Sequence, residues 1–270
     1  MMNKTIGFIG GGNMASAMIG GIIDSRLCTK EQIIATARTQ KTLNRLSDAY
    51  GIQVTLDNKK TARESDILFL AVKPYLYPDI IKEIRDEIDD SKIIVAIAAG
   101  VSHARLNQYF GRSLKIVRAM PNTPAMVLEA MSALTPNEFV TADEMQTITE
   151  IFESFGKAEI VPESLMDAVT GVSGSAPAYV YLFIEAMADA AVADGMPRTQ
   201  AYKFAAQAVY GAAKMVLETG RHPGELKDAV CSPGGTTIAA VAKLEEKGLR
   251  DAVISAQRCC VAKSKDMGKE

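Results

Sequence analysis

With 270 residues, 48% of them hydrophobic, the chain is long enough to bury a sizeable core and to divide into about two domains. A formal net charge of -2 and the lack of a long basic run argue against a nucleic-acid surface. Cys28, Cys231, Cys259 and Cys260 form no C-x-x-C pair, and the adjacent two make a poor zinc pattern and a rare disulfide, so reduced thiols in a cytoplasmic setting are expected, with no metal.

The N-terminus enters a strand pattern at residues 5–9 without the charged, apolar and cleavage regions of an export signal, so no export is expected. Ile6, Phe8 and Ile9 form an apolar run that breaks at Gly10-Gly11-Gly12, and residues 14–23 then read as an apolar, small-residue helix. Within this strand, turn and helix, Gly10-x-Gly12-x-x-Ala15 matches the dinucleotide fingerprint. The first glycine makes the tight turn, the second lets backbone approach a pyrophosphate, and the small third residue lets helix and strand pack closely. The next strand, 33–37, would end in a carboxylate about twenty residues after the glycines if it were to grip the ribose hydroxyls of NAD. It ends instead in Arg38-Thr39. Arg38, helped by Lys41 or Arg45, can offer its fork of donors to a 2′-phosphate, which favours NADPH and leaves NADH open; the alternative is an ordinary solvated strand-end residue.

Apolar runs at 66–72, 92–98 and 114–119 have the length of central parallel strands buried on both faces. Helical patterns at 41–49, 77–88 and 102–110 separate them, with Gly51 and Gly111 as stops and Ser102 as an N-cap. This predicts a doubly wound, Rossmann-type α/β sheet, whose ligands sit beyond the carboxyl ends of the strands. Three strand-end segments qualify: Ala71-Val72-Lys73-Pro74, Ala98-Ala99-Gly100 and Ala119-Met120-Pro121-Asn122-Thr123-Pro124. Their small residues leave room for a flat ring, while a lysine before proline, such as Lys73, reads as a positioning or surface residue. Two more short strands, 131–134 and 157–161, flank a helix at 142–155 capped by Thr141, and the first domain is expected to end at residue 162.

From Glu163 to residue 270 the pattern is all-helical. Residues 176–194 are apolar on nearly every face, interrupted by Glu185 and Asp189; this is too interrupted for a bilayer span and too apolar for a surface helix, so a buried central helix is expected. Helices follow at 200–218 (capped by Thr199, stopped by Gly220), 223–230, 238–247 and 249–263, with 265–270 expected to fray. About a hundred residues of helices around one apolar helix make a thin core, which predicts that subunits complete it by dimerising.

Between the last of these helices lies Ser232-Pro233-Gly234-Gly235-Thr236-Thr237. Adjacent glycines expose backbone N–H groups, the following helix start carries partial positive charge, and three hydroxyls donate and accept, so the turn can hold a carboxylate and a neighbouring polar atom; a plain capped helix start is the alternative. Catalytic bases are scarce, since the chain has only His103 and His222, each read as structural. Hydroxyacid dehydrogenases of similar layout carry a Lys and an Asn on the helix opening their second domain, and Val172-Ser173-Gly174-Ser175-Ala176-Pro177-Ala178-Tyr179 carries neither. An imine, which accepts hydride at carbon once protonated at nitrogen, fits these residues better than a carbonyl.

Along its whole length the chain resembles the pyrroline-5-carboxylate reductases of proline biosynthesis. The resemblance is carried by Phe8-Ile9-Gly10-Gly11-Gly12-Asn13-Met14-Ala15, Asp57-Asn58, Ala71-Val72-Lys73-Pro74, Met120-Pro121-Asn122-Thr123-Pro124, the Gly171 to Tyr179 segment, and His222-Pro223 leading to the Ser232–Thr237 turn. It implies NAD(P)H-dependent reduction of 1-pyrroline-5-carboxylate to L-proline, with cofactor contacts at Ile9, Gly10, Gly11, Gly12, Asn13, Met14, Asn58, Ala71, Val72, Lys73 and Ala99. It further implies that Ser232 and the amides around Gly234, Gly235 and Thr236 take the carboxylate, and that Thr237 hydrogen-bonds the ring nitrogen. The implied assembly is a homodimer, in rings of five dimers. The acidic residue and the asparagine that some members use nearby are replaced here by Gly220-Arg221 and Ala229, so those contacts do not carry over. Two rivals stand beside this reading: a hydroxyacid dehydrogenase of the same layout, and a non-catalytic NADP-binding or pyridoxal-phosphate-type regulatory protein.

Overall fold

The computed structural model describes residues 2–268. Ile6–Ile9 (β1), Ile33–Thr36 (β2), Ile67–Leu70 (β4) and Ile93–Ala96 (β5) are buried at every residue, as parallel strands covered on both faces must be. With Gln53–Thr55 (β3), Lys115–Met120 (β6), Ala130–Pro136 (β7) and Gly156–Ile160 (β8) they form an eight-stranded sheet in the order β3-β2-β1-β4-β5-β6-β7-β8. The strands from β3 to β6 are parallel; β7 runs antiparallel to β6, and β8 is parallel to β7. The order reverses between β1 and β4, and that topological switch point is where such sheets open a crevice for ligand.

Alternation along the strands sends neighbouring residues into two cores. On one face Phe8 stacks on Phe69 at 4.7 Å between ring centroids, and Phe152 and Phe155 continue the cluster. Helices Asn13–Asp24 (α1) and Ala142–Glu153 (α6) supply Met18, Ile19, Ile22, Ile148 and Ile151 to it. On the other face Tyr77–Ile84 (α4) and His103–Phe110 (α5) pack Tyr77, Ile81, Leu106 and Phe110 against Leu68, Leu70 and Ile94. Each fully buried ring or branched chain contributes about 1.5–3 kcal/mol, which makes this sheet the stable frame on which loops are held.

The caps act as the sequence predicts: Ser102 accepts from the Arg105 N–H, Thr141 and Glu144 form a capping box, and Gly51 and Gly111 end their helices in the left-handed region at φ 67° and 72°. The first of these stops ends Gln40–Tyr50 (α2). The short, half-exposed β3 and the helix Asn58–Glu64 (α3) have no counterpart in the sequence reading, because an edge strand of three residues leaves no hydrophobic period.

After the short helix Met166–Val169 (α7) and a π-helical turn at Thr170–Gly174 come Ala176–Ala193 (α8), Arg198–Thr219 (α9), Pro223–Ala229 (α10), Thr236–Glu246 (α11) and Leu249–Met267 (α12). The chain forms two compact units, one running to Ser175 and including the segment from Cys260 onward, the other spanning Ala176–Cys259. Three expectations are corrected here. The cap of α9 is Pro197, not Thr199, because the helix begins at Arg198 and takes Thr199 into its first turn. The stretch 265–267 does not fray but continues α12, and residues 269–270 lie outside the described residues. The tail is held in the first unit, where the buried Ser264 hydroxyl donates to Asp167 at 2.7 Å and Arg105 donates to the Gly268 carbonyl at 2.9 Å.

The third correction concerns α8, which is not buried within the single chain: Ala188 is its one buried residue. By length and composition the helical stretch Glu163–Ala193 is apolar enough to cross a membrane, with hydropathy 1.3, yet only 6% of its apolar 18-residue window is buried. Throughout the second unit large apolar side chains face outward, among them Leu182 (68% exposed), Phe204 (67%) and Leu217 (82%). So many large apolar side chains left exposed mark an interaction face rather than a finished one.

Candidate functional site: a glycine turn and an anion-binding turn

At the switch point β1 runs into the glycine turn. Gly10 has φ 110°, a conformation open to glycine, and its N–H donates to the Thr36 carbonyl at 3.1 Å. A Cβ on Gly10 would land on the Ala71 carbonyl oxygen and 2.9 Å from the Val72 side chain, so the turn lies against the end of β4. Ile9 and Ala71 fix that approach through the Ala71 N–H, which donates to the Ile9 carbonyl at 2.8 Å. Gly11 is buried, with Thr42 and Leu46 of α2 at 2.9 and 2.8 Å from where its Cβ would sit. Gly12 caps α1, and nothing lies within 4 Å of its missing Cβ. Open space in front of Gly12 and the unpaired N–H groups at the start of α1, at Asn13 and Met14, is what a dinucleotide diphosphate requires. Ala15 is fully buried and lets α1 sit close on the sheet. The residues present therefore fit the cofactor.

The other expected cofactor residues follow the carboxyl ends of the same strands. Arg38 is exposed after β2 and makes no ion pair among the described residues; Ala99 is half-buried after β5, and Lys73 is exposed after β4. Asn58 opens α3, where its amide donates to Glu83 at 2.9 Å. Arg45, named above beside Arg38, reaches back 34 residues and donates from its guanidinium to the Gly11 carbonyl at 2.7 Å. No local pattern announces that contact.

In the second unit Ser232-Pro233-Gly234-Gly235 closes a tight turn, with the Gly235 N–H donating to the Ser232 carbonyl at 3.0 Å and Gly234 at φ 70°. Proline followed by a positive-φ glycine is the signature of a type II turn. A Cβ at Gly235 would collide with the Ser232 hydroxyl, so glycine there keeps that hydroxyl over the turn. The helix begins at Thr236, with Gly235 as its cap and no side-chain capping bond, so Thr236 and Thr237 occupy the first turn of α11 and both are exposed. With the Gly235 N–H committed to the turn, the free amides of the helix start are those of Thr236, Thr237 and Ile238, at the positive end of the helix dipole.

Neither histidine is placed as an acid or base. His222 caps α10, its Nδ1 accepting from the Gly224 N–H at 3.0 Å. His103 is held by Nε2 at 3.1 Å from the Thr135 carbonyl, and burial pushes its pKa below the usual value against the opposing pull of Glu163. Glu163 accepts from the His103 N–H at 2.8 Å and from Arg118 at 2.6 Å. Burial alone would raise its carboxyl, but these donors more than offset that and lower the pKa. Arg118 is only 8% exposed, so Glu163→Gln leaves a buried guanidinium without its counter-charge. The variant is expected to lose about 1–2 kcal/mol at neutral pH, toward the low end because the carboxyl keeps some water. A carboxyl depressed in the folded state stabilises above its unfolded pKa and stops doing so as pH falls through the folded one. Urea melts of both proteins should therefore differ at pH 7 and converge under acid; a gap that persists there would refute the assignment.

Strand order 3-2-1-4-5-6, a glycine turn at the switch point and a helical unit bearing the Ser-Pro-Gly-Gly-Thr-Thr turn define a nicotinamide-dinucleotide oxidoreductase with an α/β first domain and a helical second one. Residues 5–100 match the family described as NADP oxidoreductase, coenzyme F420-dependent, and residues 163–267 match pyrroline-5-carboxylate reductase dimerisation. The chain is 51% identical to the pyrroline-5-carboxylate reductase of Escherichia coli K12 over 268 residues, 99% of this chain and 100% of that protein. Among solved structures, a pyrroline-5-carboxylate reductase from Coxiella burnetii superposes with TM-score 0.91 at 34% identity over 100% of both chains. The Plasmodium falciparum pyrroline carboxylate reductase with NADP bound does so with TM-score 0.91 at 33% identity over 99% of both. The chain belongs to the pyrroline-5-carboxylate reductase family.

Proposed function

We propose that this protein reduces 1-pyrroline-5-carboxylate to L-proline with NAD(P)H, the last step of proline biosynthesis. The observation that carries the reading is full-length 51% identity to a reductase of that name, joined to an intact Ser-Pro-Gly-Gly-Thr-Thr turn with its anion-binding amides. The nicotinamide, when bound, supplies the hydride that the imine carbon accepts. The chain's own residues hold the cofactor and the substrate. Gly10, Gly11, Gly12, Asn13 and Met14 receive the diphosphate, with Ile9, Asn58, Ala71, Val72, Lys73 and Ala99 lining the dinucleotide, and Arg38 pairs with the 2′-phosphate of NADPH. The Ser232 hydroxyl and the amides opening α11 take the substrate carboxylate; Gly234 and Gly235 shape the turn, and Thr237 hydrogen-bonds the ring nitrogen. The test follows NADPH and, in parallel, NADH absorbance with racemic pyrroline-5-carboxylate. Imine-dependent oxidation is expected with both, faster with NADPH; binding of cofactor without turnover would turn the reading toward a regulatory protein.

The functional boundary proposed at residue 162 is supported by the dimerisation match, which starts at 163. That match also accounts for the exposed apolar faces of α8 and α9: they are the surface a second copy covers, so the homodimer buries what the single chain leaves open. A ring of five dimers and a cytoplasmic location belong to the same proposal, the second supported by the cysteine pattern. Light scattering coupled to size exclusion should return a dimer or a multiple of it, and a monomer at micromolar concentration would refute the assembly.

A further inference from the structure

Arg45 sits on the exposed side of α2, yet its guanidinium turns inward to the Gly11 carbonyl at 2.7 Å, the length of a charge-assisted hydrogen bond. No carboxylate pairs with it among the described residues. Thr42, Arg45 and Leu46, spaced i, i+3 and i+4, lie on one face of α2, and all three meet Gly11: two by close packing and the third by this bond. The turn is thus clamped from a helix that begins 30 residues further along the chain. The Gly11 carbonyl and the Gly12 N–H belong to one peptide group. A cation on the oxygen draws electron density from the nitrogen and fixes the plane of that group, which leaves the N–H a stronger and better aimed donor. Gly12 is the residue with open space before it.

We infer that Arg45 is a positioning residue for the dinucleotide: it orients and polarises the Gly11–Gly12 peptide that receives the diphosphate. The inference rests on the proposed seating of the cofactor at this turn. Because the diphosphate is common to both cofactors, Arg45 serves NADPH and NADH alike, and the discrimination between them is left to Arg38.

The test is equilibrium binding of NADP+ and NAD+ by calorimetry to the full-length protein, with the melting temperature of the free protein read in parallel. Arg45→Met, which keeps the aliphatic stem, should weaken both dinucleotides about tenfold, the scale of one charged hydrogen bond, with the ratio between them unchanged. Arg45→Lys should recover part of the loss, and neither variant should shift the free protein's melting by more than about 2 °C. Arg38→Ser should weaken NADP+ alone. A loss confined to NADP+ in Arg45→Met would make Arg45 a 2′-phosphate ligand and overturn the inference, as would parent-like affinity for both. Should Arg45→Met fail to fold, Arg45→Gln is read the same way, and parent-like affinity there also overturns it. Gly12→Ala separates the two levels of argument: parent-like binding in that variant would remove the cofactor from this turn altogether, whereas a loss there with none in Arg45→Met would sink only the role of Arg45.

Discussion

Thr237→Val is expected to fold and assemble as the parent does and to lose about a hundredfold in kcat/KM, the usual effect of deleting one positioned donor at a reacting centre. The substitution is nearly isosteric, and Thr237 is exposed on the first turn of a helix that buries none of its residues, so stability has little reason to change. What is lost is the hydroxyl that the proposed mechanism assigns to the substrate ring nitrogen. As hydride arrives the cationic imine, whose nitrogen can only donate, becomes an amine with a lone pair, so a hydroxyl that donates to that nitrogen gains its acceptor along the reaction rather than in the bound substrate. The loss should therefore fall on kcat more than on KM. Steady-state kinetics with pyrroline-5-carboxylate decide it: activity within threefold of the parent would remove Thr237 from the chemistry. Ser232→Ala offers the contrast, since loss of a carboxylate contact made equally throughout the reaction raises KM first.

The two glycines of the fingerprint should fail in opposite ways. Gly10→Val puts a β-branched residue at φ 110° and drives its Cβ into the Ala71 carbonyl, so backbone must move between β1 and β4 at the centre of the sheet. A penalty of about 3 kcal/mol or more is expected, lowering the melting temperature by about 6–12 °C for a protein of this size. Gly12→Ala meets nothing within 4 Å and has an ordinary φ of -73°, so its melting temperature should stay within about 2 °C of the parent. Its methyl group nevertheless stands where a diphosphate has to approach, and dinucleotide affinity should fall by at least about tenfold. Equal stability of the two variants would contradict the geometry of the turn.

The sequence by itself determined whatever is written in local chemistry. Runs such as Ile67 to Leu70 announce buried strands because a strand covered on both faces has no polar side to show. Gly10-x-Gly12-x-x-Ala15 and Ser232 to Thr237 announce their turns because few residues tolerate those φ values or that closeness; Gly51 and Gly111 mark helix ends for the same reason, and Ser102 and Thr141 mark helix starts because their hydroxyls accept from free N–H groups. The tertiary structure alone decided what depends on residues far apart in the chain. The orientation of β7 against β6 and the existence of the short β3 follow from which edge of the sheet is left to pair. The continuation of α12 past Lys263 follows from Asp167 and Arg105, which hold Ser264 and Gly268 across 97 and 163 residues of sequence. The grip of Arg45 on Gly11 is of this kind too. The apolar pattern of α8 was legible, and the thin helical core pointed to a second copy as its cover; how little of α8 the single chain itself buries was not, because hydropathy reports that a face must leave water and not where its cover lies.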